Sequence, residues 1–253
     1  MKKALTIAGF DPSGGAGIQA DLKVFHALGI YGLSVASSLT AQNTEGVRDI
    51  MSVPDRFVKK QLTALLSDLI PEATKTGMLY SEANVAAVAH IIEKYSLKNI
   101  VVDPVMVSSS GKKLVEKNTL VVMKKKLFPF STVITPNIYE AAVLSGINIK
   151  NMADMEKAAV CLRDSGPENV IITGGHLEDF ALDVLYDGSF HYLKSRKVIG
   201  EYHGTGCAFS AALTAMLAKG YSVLRSAKEA KRFMNRAFKK SFSAGRGMKL
   251  FKF

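Results

Sequence analysis

Ile100-Val-Val-Asp-Pro104 sets three consecutive apolar, β-branched residues directly before a carboxylate and a proline. A run that is apolar without alternation reads as a strand buried on both faces, the condition of strands in a parallel sheet. Such a strand presents Asp103 at its carboxyl end, where open α/β sheets bind their ligands. Working outward, apolar β-rich runs alternate with helical periodicity almost to the end of the chain. Residues 4–8, 33–39, 73–78, 132–135 and 170–173 are predicted strands, and 181–186 with 191–193 a hairpin across Asp187-Gly188. Helices are predicted after Asp11-Pro-Ser-Gly-Gly (with Ile18, Leu22, Phe25 and Leu28 on one face) and over 57–69, 82–95, 119–127, 137–145, 155–164, 210–218 and 222–240. This alternation predicts an α/β three-layer αβα sandwich with a mostly parallel central sheet, in one domain over residues 1–253.

Composition fits that reading and excludes others. At 253 residues, 48% hydrophobic and 22% charged, the chain is neither disordered, collagen-like nor a disulfide-stapled module. Cys161 and Cys207 lie in separate segments and form no metal-ligand pair. The Met-Lys-Lys start runs into a Gly/Asp/Pro turn, so it predicts a first strand and no signal peptide. No stretch is long and apolar enough to span a bilayer, so a soluble cytoplasmic protein without a membrane partner is expected. The net charge of +11 is the unusual quantity. Ten basic residues against Glu229 alone lie between Arg225 and Phe253, a surplus of +9 that leaves +2 for residues 1–224. The basic helix and tail, residues 222–253, carry no nucleic-acid motif. They are expected to be solvated surface, with no nucleic-acid partner.

Three motifs fall at predicted strand ends. Asp11-Pro-Ser-Gly-Gly-Ala-Gly17 is a glycine-rich turn opening a helix. It either offers amides to a polar ligand or is a tight β–α turn with an aspartate cap. It matches neither the dinucleotide nor the Walker spacing. His203-Gly-Thr-Gly-Cys207 leads into a second helix, where Gly204 and Gly206 let amides converge into an anion hole for a moving phosphoryl group. The first turn should lower the Cys207 pKa and suit the thiol to take a proton from a hydroxyl. The alternative is a small buried helix residue. In Thr135-Pro-Asn-Ile-Tyr-Glu140, Asn137 and Glu140 have capping-box spacing. Glu140 with Asp103 also suits magnesium held through water beside phosphates. Cys161 reads as packing. His26, His90, His176 and His191 show no metal spacing, and Lys124 to Lys126 read as a solvated helix face.

Together these segments resemble the hydroxymethylpyrimidine/phosphomethylpyrimidine kinases of thiamin biosynthesis, in the ribokinase-like superfamily. The resemblance runs through Ile7–Lys23, Leu39–Thr44, Lys75-Thr-Gly-Met78, Asp103-Pro-Val-Met106, Thr135-Pro-Asn137 with Glu140, Gly174-Gly-His176 and His203–Cys207. It implies ATP-dependent phosphorylation of 4-amino-5-hydroxymethyl-2-methylpyrimidine and then of its monophosphate, with Mg2+, by a homodimer. By matching position it implies Gly9, Asp21, Thr40, Gln42, Met78 and Val105 around the pyrimidine. Cys207 would be the base and Gly204, Thr205 and Gly206 the anion hole. Asn137, Glu140, Thr173 and Gly175 would meet the nucleotide, and Asp103 and Glu140 the metal. Thr173 stands where the family commonly has Lys, Ala208 replaces a hydroxyl residue, and the C-terminal glycine segment is reduced to Gly245-Arg-Gly247. A pyridoxal/pyridoxine kinase of the same fold and a non-catalytic pyrimidine- or nucleotide-binding relative are the alternatives. Gln42 argues for the pyrimidine, since its amide both donates and accepts.

Overall fold

The computed structural model describes residues 1–108, 110–174 and 180–253, with Phe180 described for its backbone only. Nine strands form one sheet in the order β3-β2-β1-β4-β5-β6-β7-β8-β9. The strands are β1 (Lys3–Phe10), β2 (Tyr31–Asn43), β3 (Gly46–Ser52), β4 (Ala73–Thr76), β5 (Ile100–Val102), β6 (Val133–Ile134), β7 (Asn169–Ile172), β8 (Phe180–Tyr186) and β9 (Phe190–Arg196). Strands β2-β1-β4-β5-β6-β7 are parallel, and antiparallel β3 and β8-β9 close the two edges.

Alternation along the buried strands divides the core in two. Ala4, Ala73, Val101, Val133 and Ile171 face one layer, built by α1 (Gly17–Ala27), α7 (Thr205–Ala218) and α8 (Val223–Lys239). Leu5, Ile7, Ile100, Val102, Ile134, Val170 and Ile172 face the other. There lie α2 (Asp55–Leu66), α3 (Glu82–Lys94), α4 (Thr119–Val122), α5 (Ile138–Ser145) and α6 (Met152–Arg163). The expected three-layer sandwich is therefore present. The alanines on the first face, with Ala208, Ala211, Ala212 and Ala215 of α7, let that helix lie close to the sheet.

Several boundaries differ from expectation, each for a physical reason. β2 continues past Leu39 to Asn43 because it pairs with β3, an edge strand whose half-exposed, charged sequence gives little hydrophobic signal. Helix α1 buries Ile18, Ala20, Asp21, Val24 and Phe25, so its inward face includes a carboxylate the apolar pattern does not mark. The helix predicted over 119–127 is one turn of α helix, a π turn at Met123–Leu127 and a 3₁₀ turn at Phe128–Phe130 that contains Pro129. Lys124 is not free on that face: its ammonium donates to Leu144 O at 3.0 Å.

The basic C-terminal segment is not solvated surface throughout. Helix α8 buries Ala227, Ala230, Phe233, Met234 and Ala237. Lys231 pairs with Asp183 of β8 at 2.6 Å. Beyond α8 the chain turns back: Tyr202 bridges Lys249, Phe242 bridges Leu250, and the His203 amide donates to Lys249 O at 3.0 Å. Tyr202, Phe238, Phe251 and Phe253 stack into one aromatic cluster.

Candidate active site

Six parallel strands place their carboxyl ends along one edge, and two glycine turns meet there. Gly17 has φ +57° and Gly204 φ +79°, conformations that glycine adopts without strain. A Cβ on Gly204 would stand 1.9 Å from Gly15 O, and one on Gly17 would stand 2.2 Å from Gly9 O. The β1–α1 turn and the start of α7 are therefore in backbone contact, which no side chain larger than hydrogen permits.

Asp11 organises the first turn. Its Oδ1 accepts from the Ser13 amide at 2.8 Å, and its Oδ2 accepts from the Gly15 and Ala16 amides at 3.1 and 2.8 Å. His203 Nε2 lies 2.9 Å from the same Oδ2. Burial works to raise this carboxyl, but the bonds from His203, Ser13 and Ala16 hold it below its ordinary value. Of the two readings of this turn, the aspartate cap is the one realised, since Asp11 takes the amides of Ser13, Gly15 and Ala16. The second turn differs. Gly204 caps α7 without any side-chain bond, and the space a Gly206 side chain would occupy is open. A helix start of this kind keeps its first amides for an anion.

Beneath α7 lies a charge that motif reading does not single out. Lys75, at the centre of β4, is 0% exposed, and its Nζ lies 2.8 and 2.7 Å from the two oxygens of Asp21. Thr6 Oγ1 donates to Asp21 at 2.6 Å. Burial opposes the ammonium, but Asp21, aided by Cys207 and Asp103, outweighs it and holds Lys75 firmly protonated. Asp21 is itself fully enclosed. It was expected around the pyrimidine, but its oxygens are engaged by Thr6 and Lys75, and it serves the site as the partner of that lysine. The only local signal for Lys75 is a charge inside a four-residue buried strand.

Cys207 sits in the first turn of α7, where the Gly17 amide donates to its sulfur. The expected lowering of its pKa is reversed. Burial, with Asp103 and Asp21, pushes the thiol up to about 12 against the pull of Lys75 and the Gly17 amide. Two acids complete this side. Asp103 accepts from Ser210 Oγ of α7 at 2.8 Å. Glu140 forms the capping box: the Asn137 amide donates to Glu140 Oε2 and the Glu140 amide to Asn137 Oδ1, both at 2.9 Å. Its Oε1 lies 3.4 Å from the Met106 amide. Burial and then the Asp103 charge push Glu140 up to about 8. Asp103 is raised by burial too, although Lys75 and Ser210 pull it back.

On the opposite rim, a Cβ on Gly9 would press on Ser38 Oγ at 2.9 Å and meet Met78 Sδ at 3.4 Å, so Gly9, Met78 and β2 adjoin. Thr40 Oγ1 donates to Phe10 O at 3.0 Å. The Gln42 amide reaches His203 Nε2 at 2.8 Å. Val105 is half-buried beside Asp103. Thr173 bridges Asn137, and its amide donates to Pro136 O at 2.9 Å. Gly175 and His176 lie outside the described residues. Asp11 and His203 were legible only as a turn cap and a motif edge; their contact, 192 positions apart, is the feature sequence spacing conceals. Cys161 packs in α6 with its sulfur 3.7 Å from Ser145 O, as expected of a structural thiol.

By comparison with known proteins, the chain with this sheet and helix start is a phosphotransferase of the ribokinase-like fold. The sequence matches the family model described as phosphomethylpyrimidine kinase over residues 11–252. The chain belongs to the phosphomethylpyrimidine kinase family. It is 41% identical over 249 residues to the hydroxymethylpyrimidine/phosphomethylpyrimidine kinase of Bacillus subtilis, covering 97% of this chain and 92% of that one. It is 44% identical over 246 residues to the thiamine biosynthesis bifunctional protein ThiED of Geobacter sulfurreducens, covering 96% of this chain but spanning only 50% of that longer protein. Among solved structures, the ADP complex of Bacillus subtilis pyridoxal kinase superposes with a TM-score of 0.91 at 38% identity, covering 100% of this chain and 97% of that one.

Proposed function

We propose that this chain, acting as one kinase domain, uses ATP to phosphorylate 4-amino-5-hydroxymethyl-2-methylpyrimidine at its hydroxymethyl oxygen. The same site then converts the monophosphate to the diphosphate. The observation that carries the reading is Cys207 in the first turn of α7, bonded by the Gly17 amide, under the charge of Lys75 and beside the open space at Gly206. Gly204, Thr205 and Gly206 present the helix-start amides to the transferring phosphoryl group. Gly9, Thr40, Gln42, Met78 and Val105 form the pyrimidine rim. Asn137 and Thr173, bridged just beyond the ends of β6 and β7, border the nucleotide side, with Gly175 two residues after Thr173 in the sequence.

The acids suit magnesium. Asp103 and Glu140 are buried carboxyls; the Asp103 charge raises Glu140 and that of Asp21 raises Asp103, a donor set that a hard cation would relieve. Among the described residues no group of three or more His, Cys, Asp and Glu could form a protein cage. The fit is therefore to a cation shared by these two carboxylates, water and substrate phosphates. Magnesium bound there neutralises phosphate charge. Asp103 is also one of the groups keeping the proton on Cys207, and a cation held by Asp103 would weaken that hold on the thiol proposed to accept the hydroxymethyl proton.

A cytoplasmic homodimer is part of the proposal. Exposed Met51 on the β3 edge and Phe57 just beyond it offer a second copy an apolar face, and no helix among the described residues is long and apolar enough to cross a membrane. The rival substrate is pyridoxal, after which the Bacillus subtilis kinase of the same fold is named. The Gln42 amide favours an aminopyrimidine edge. The deciding experiment is a coupled ADP-release assay with Mg-ATP and three substrates: the hydroxymethylpyrimidine, its monophosphate and pyridoxal. Turnover of both pyrimidines ahead of pyridoxal is expected, and preference for pyridoxal overturns the reading.

A further inference from the structure

Asp11, His203 and Gln42 meet at one atom, His203 Nε2, and proton accounting fixes what each of them presents. The imidazole is buried, its Nε2 lies 2.9 Å from Asp11 Oδ2 and 2.8 Å from the end of the Gln42 amide, and its Nδ1 is buried without a partner. A neutral imidazole carries its proton on one nitrogen only. Were it on Nδ1, a buried donor would be unsatisfied and the Nε2 lone pair would face an aspartate oxygen. With the proton on Nε2, that N–H donates to Asp11, whose carboxyl is held in its charged form by four donors: the Ser13, Gly15 and Ala16 amides and the Ser13 hydroxyl. The second arrangement leaves only an acceptor nitrogen unpaired, and it is the less costly of the two.

An N–H at Nε2 cannot also accept from an amide NH2. Gln42 must therefore turn its carbonyl oxygen to His203, sharing that proton with Asp11. Its NH2 group then takes the place in which the structure sets Oε1, 3.3 Å from Thr40 Oγ1, the two ends of the amide being exchanged. Thr40 gives its own proton to Phe10 O, so its oxygen is free to accept one Gln42 hydrogen. The other Gln42 hydrogen has no protein partner in this network. We propose that His203 is a positioning residue for substrate recognition: its Nε2–H, fixed by Asp11, locks the Gln42 amide so that the site offers the ligand a donor, complementary to a ring nitrogen with a lone pair. The proposal rests on Gln42 being a pyrimidine contact.

The side chains also predict which replacement works. In His203→Gln, the amide nitrogen reaches the place of Nε2 and can donate both to Asp11 and to the Gln42 carbonyl. In His203→Asn, the amide stops at the place of Nδ1 and reaches neither. Steady-state kinetics on the full chain should show the KM for the hydroxymethylpyrimidine raised about tenfold or more in His203→Asn and His203→Leu, and restored to within about threefold in His203→Gln, with the ATP KM little changed. Imidazole 15N shifts of the ligand-free native protein should show the Nε2–H tautomer.

An Nδ1–H tautomer overturns the proposal, as does a loss confined to kcat, or one equal in Gln and Asn variants. Gln42→Glu separates this proposal from the reading beneath it. A carboxylate there still accepts from His203 but has no hydrogen for the ligand, so the pyrimidine KM should rise. If Gln42→Glu leaves that KM unchanged, Gln42 is no pyrimidine contact, and reading and proposal fall together. If Gln42→Glu raises it while His203→Asn does not, the proposal alone falls. Should the Leu and Asn variants not fold, the tautomer of the native protein and the Gln variant decide.

Discussion

Lys75 and Asp21 form a fully buried ion pair beneath the start of α7. Each alone is a charge removed from water, and together they satisfy one another. Lys75→Met should cost about 3–5 kcal/mol because it strands the Asp21 carboxylate. Adding Asp21→Asn should recover most of that loss, and denaturant melts of the four-member cycle measure the coupling. Activity should not return with stability, since the cation near Cys207 is gone; a double variant with native turnover would make the pair purely structural. Glu140 gives a test by pH. Its pKa rises from the ordinary 4.5 to about 8 on folding, so between those values the folded state holds more protons than the unfolded one. Stability of the ligand-free protein should therefore fall as pH rises from 4.5 to 8. Glu140→Gln should flatten that slope in thermal melts, and an unchanged slope would show that another group titrates. Sequence made Glu140 and Asp103 visible through their positions after strands. It placed Lys75 in a matching segment but gave no view of its ion pair, because Asp21 lies 54 positions away.

At the scale of elements, the glycine turns and the strand ends were legible because local chemistry favours them: glycine takes a positive φ without strain, and a short apolar run without alternation suits a doubly buried strand. Gly204 and Gly206 are two residues apart yet should behave oppositely when given a methyl group. Gly204→Ala meets Gly15 O at 1.9 Å at φ +79°, so the start of α7 must shift; a large loss of stability and of activity is expected. Gly206→Ala places its methyl in open space inside a helix, where alanine is favoured over glycine by up to about 1 kcal/mol. That variant should melt no lower than the parent yet lose tenfold or more in kcat, because the methyl occupies the place proposed for the phosphoryl group. Full turnover by Gly206→Ala would move the anion hole elsewhere. The elements sequence missed are those whose stability comes from distant pairing. β3 is an edge strand whose charged, half-exposed sequence gives little hydrophobic signal, and the π turn at Met123–Leu127 interrupts a pattern that reads as continuous helix.

For the molecule as a whole, the +11 charge separates into a nearly neutral kinase body and a basic segment that the sequence presents as solvent-facing. The structure divides that segment further. Apart from Lys231, which pairs with Asp183, the charges of α8 line its outer side while Phe233, Met234 and Ala237 seal the core, and the tail after Lys240 runs back toward the glycine turns. Leu250 reaches the first glycine turn, where a Cβ on Gly15 would stand 2.8 Å from its Cδ2, and the Met248 amide donates to Thr44 O at 2.9 Å beside the Thr40–Gln42 rim. The contacts this tail makes with the turn and the rim are apolar and backbone ones, so its charge is expected to matter little. A chain ending at Lys240 loses the burial of Leu250 and Phe251, roughly 3–6 kcal/mol at about 1.5–3 kcal/mol per side chain, and the Lys249 carbonyl that accepts from the His203 amide. It should melt lower and bind the pyrimidine more weakly. The triple variant Arg246→Gln, Lys249→Gln, Lys252→Gln removes the charge and keeps the contacts, so its melting temperature and pyrimidine KM should stay near those of the parent. If instead the truncated chain behaves as the parent does and the triple variant weakens ATP binding, the basic residues act through their field and the packed tail is without consequence.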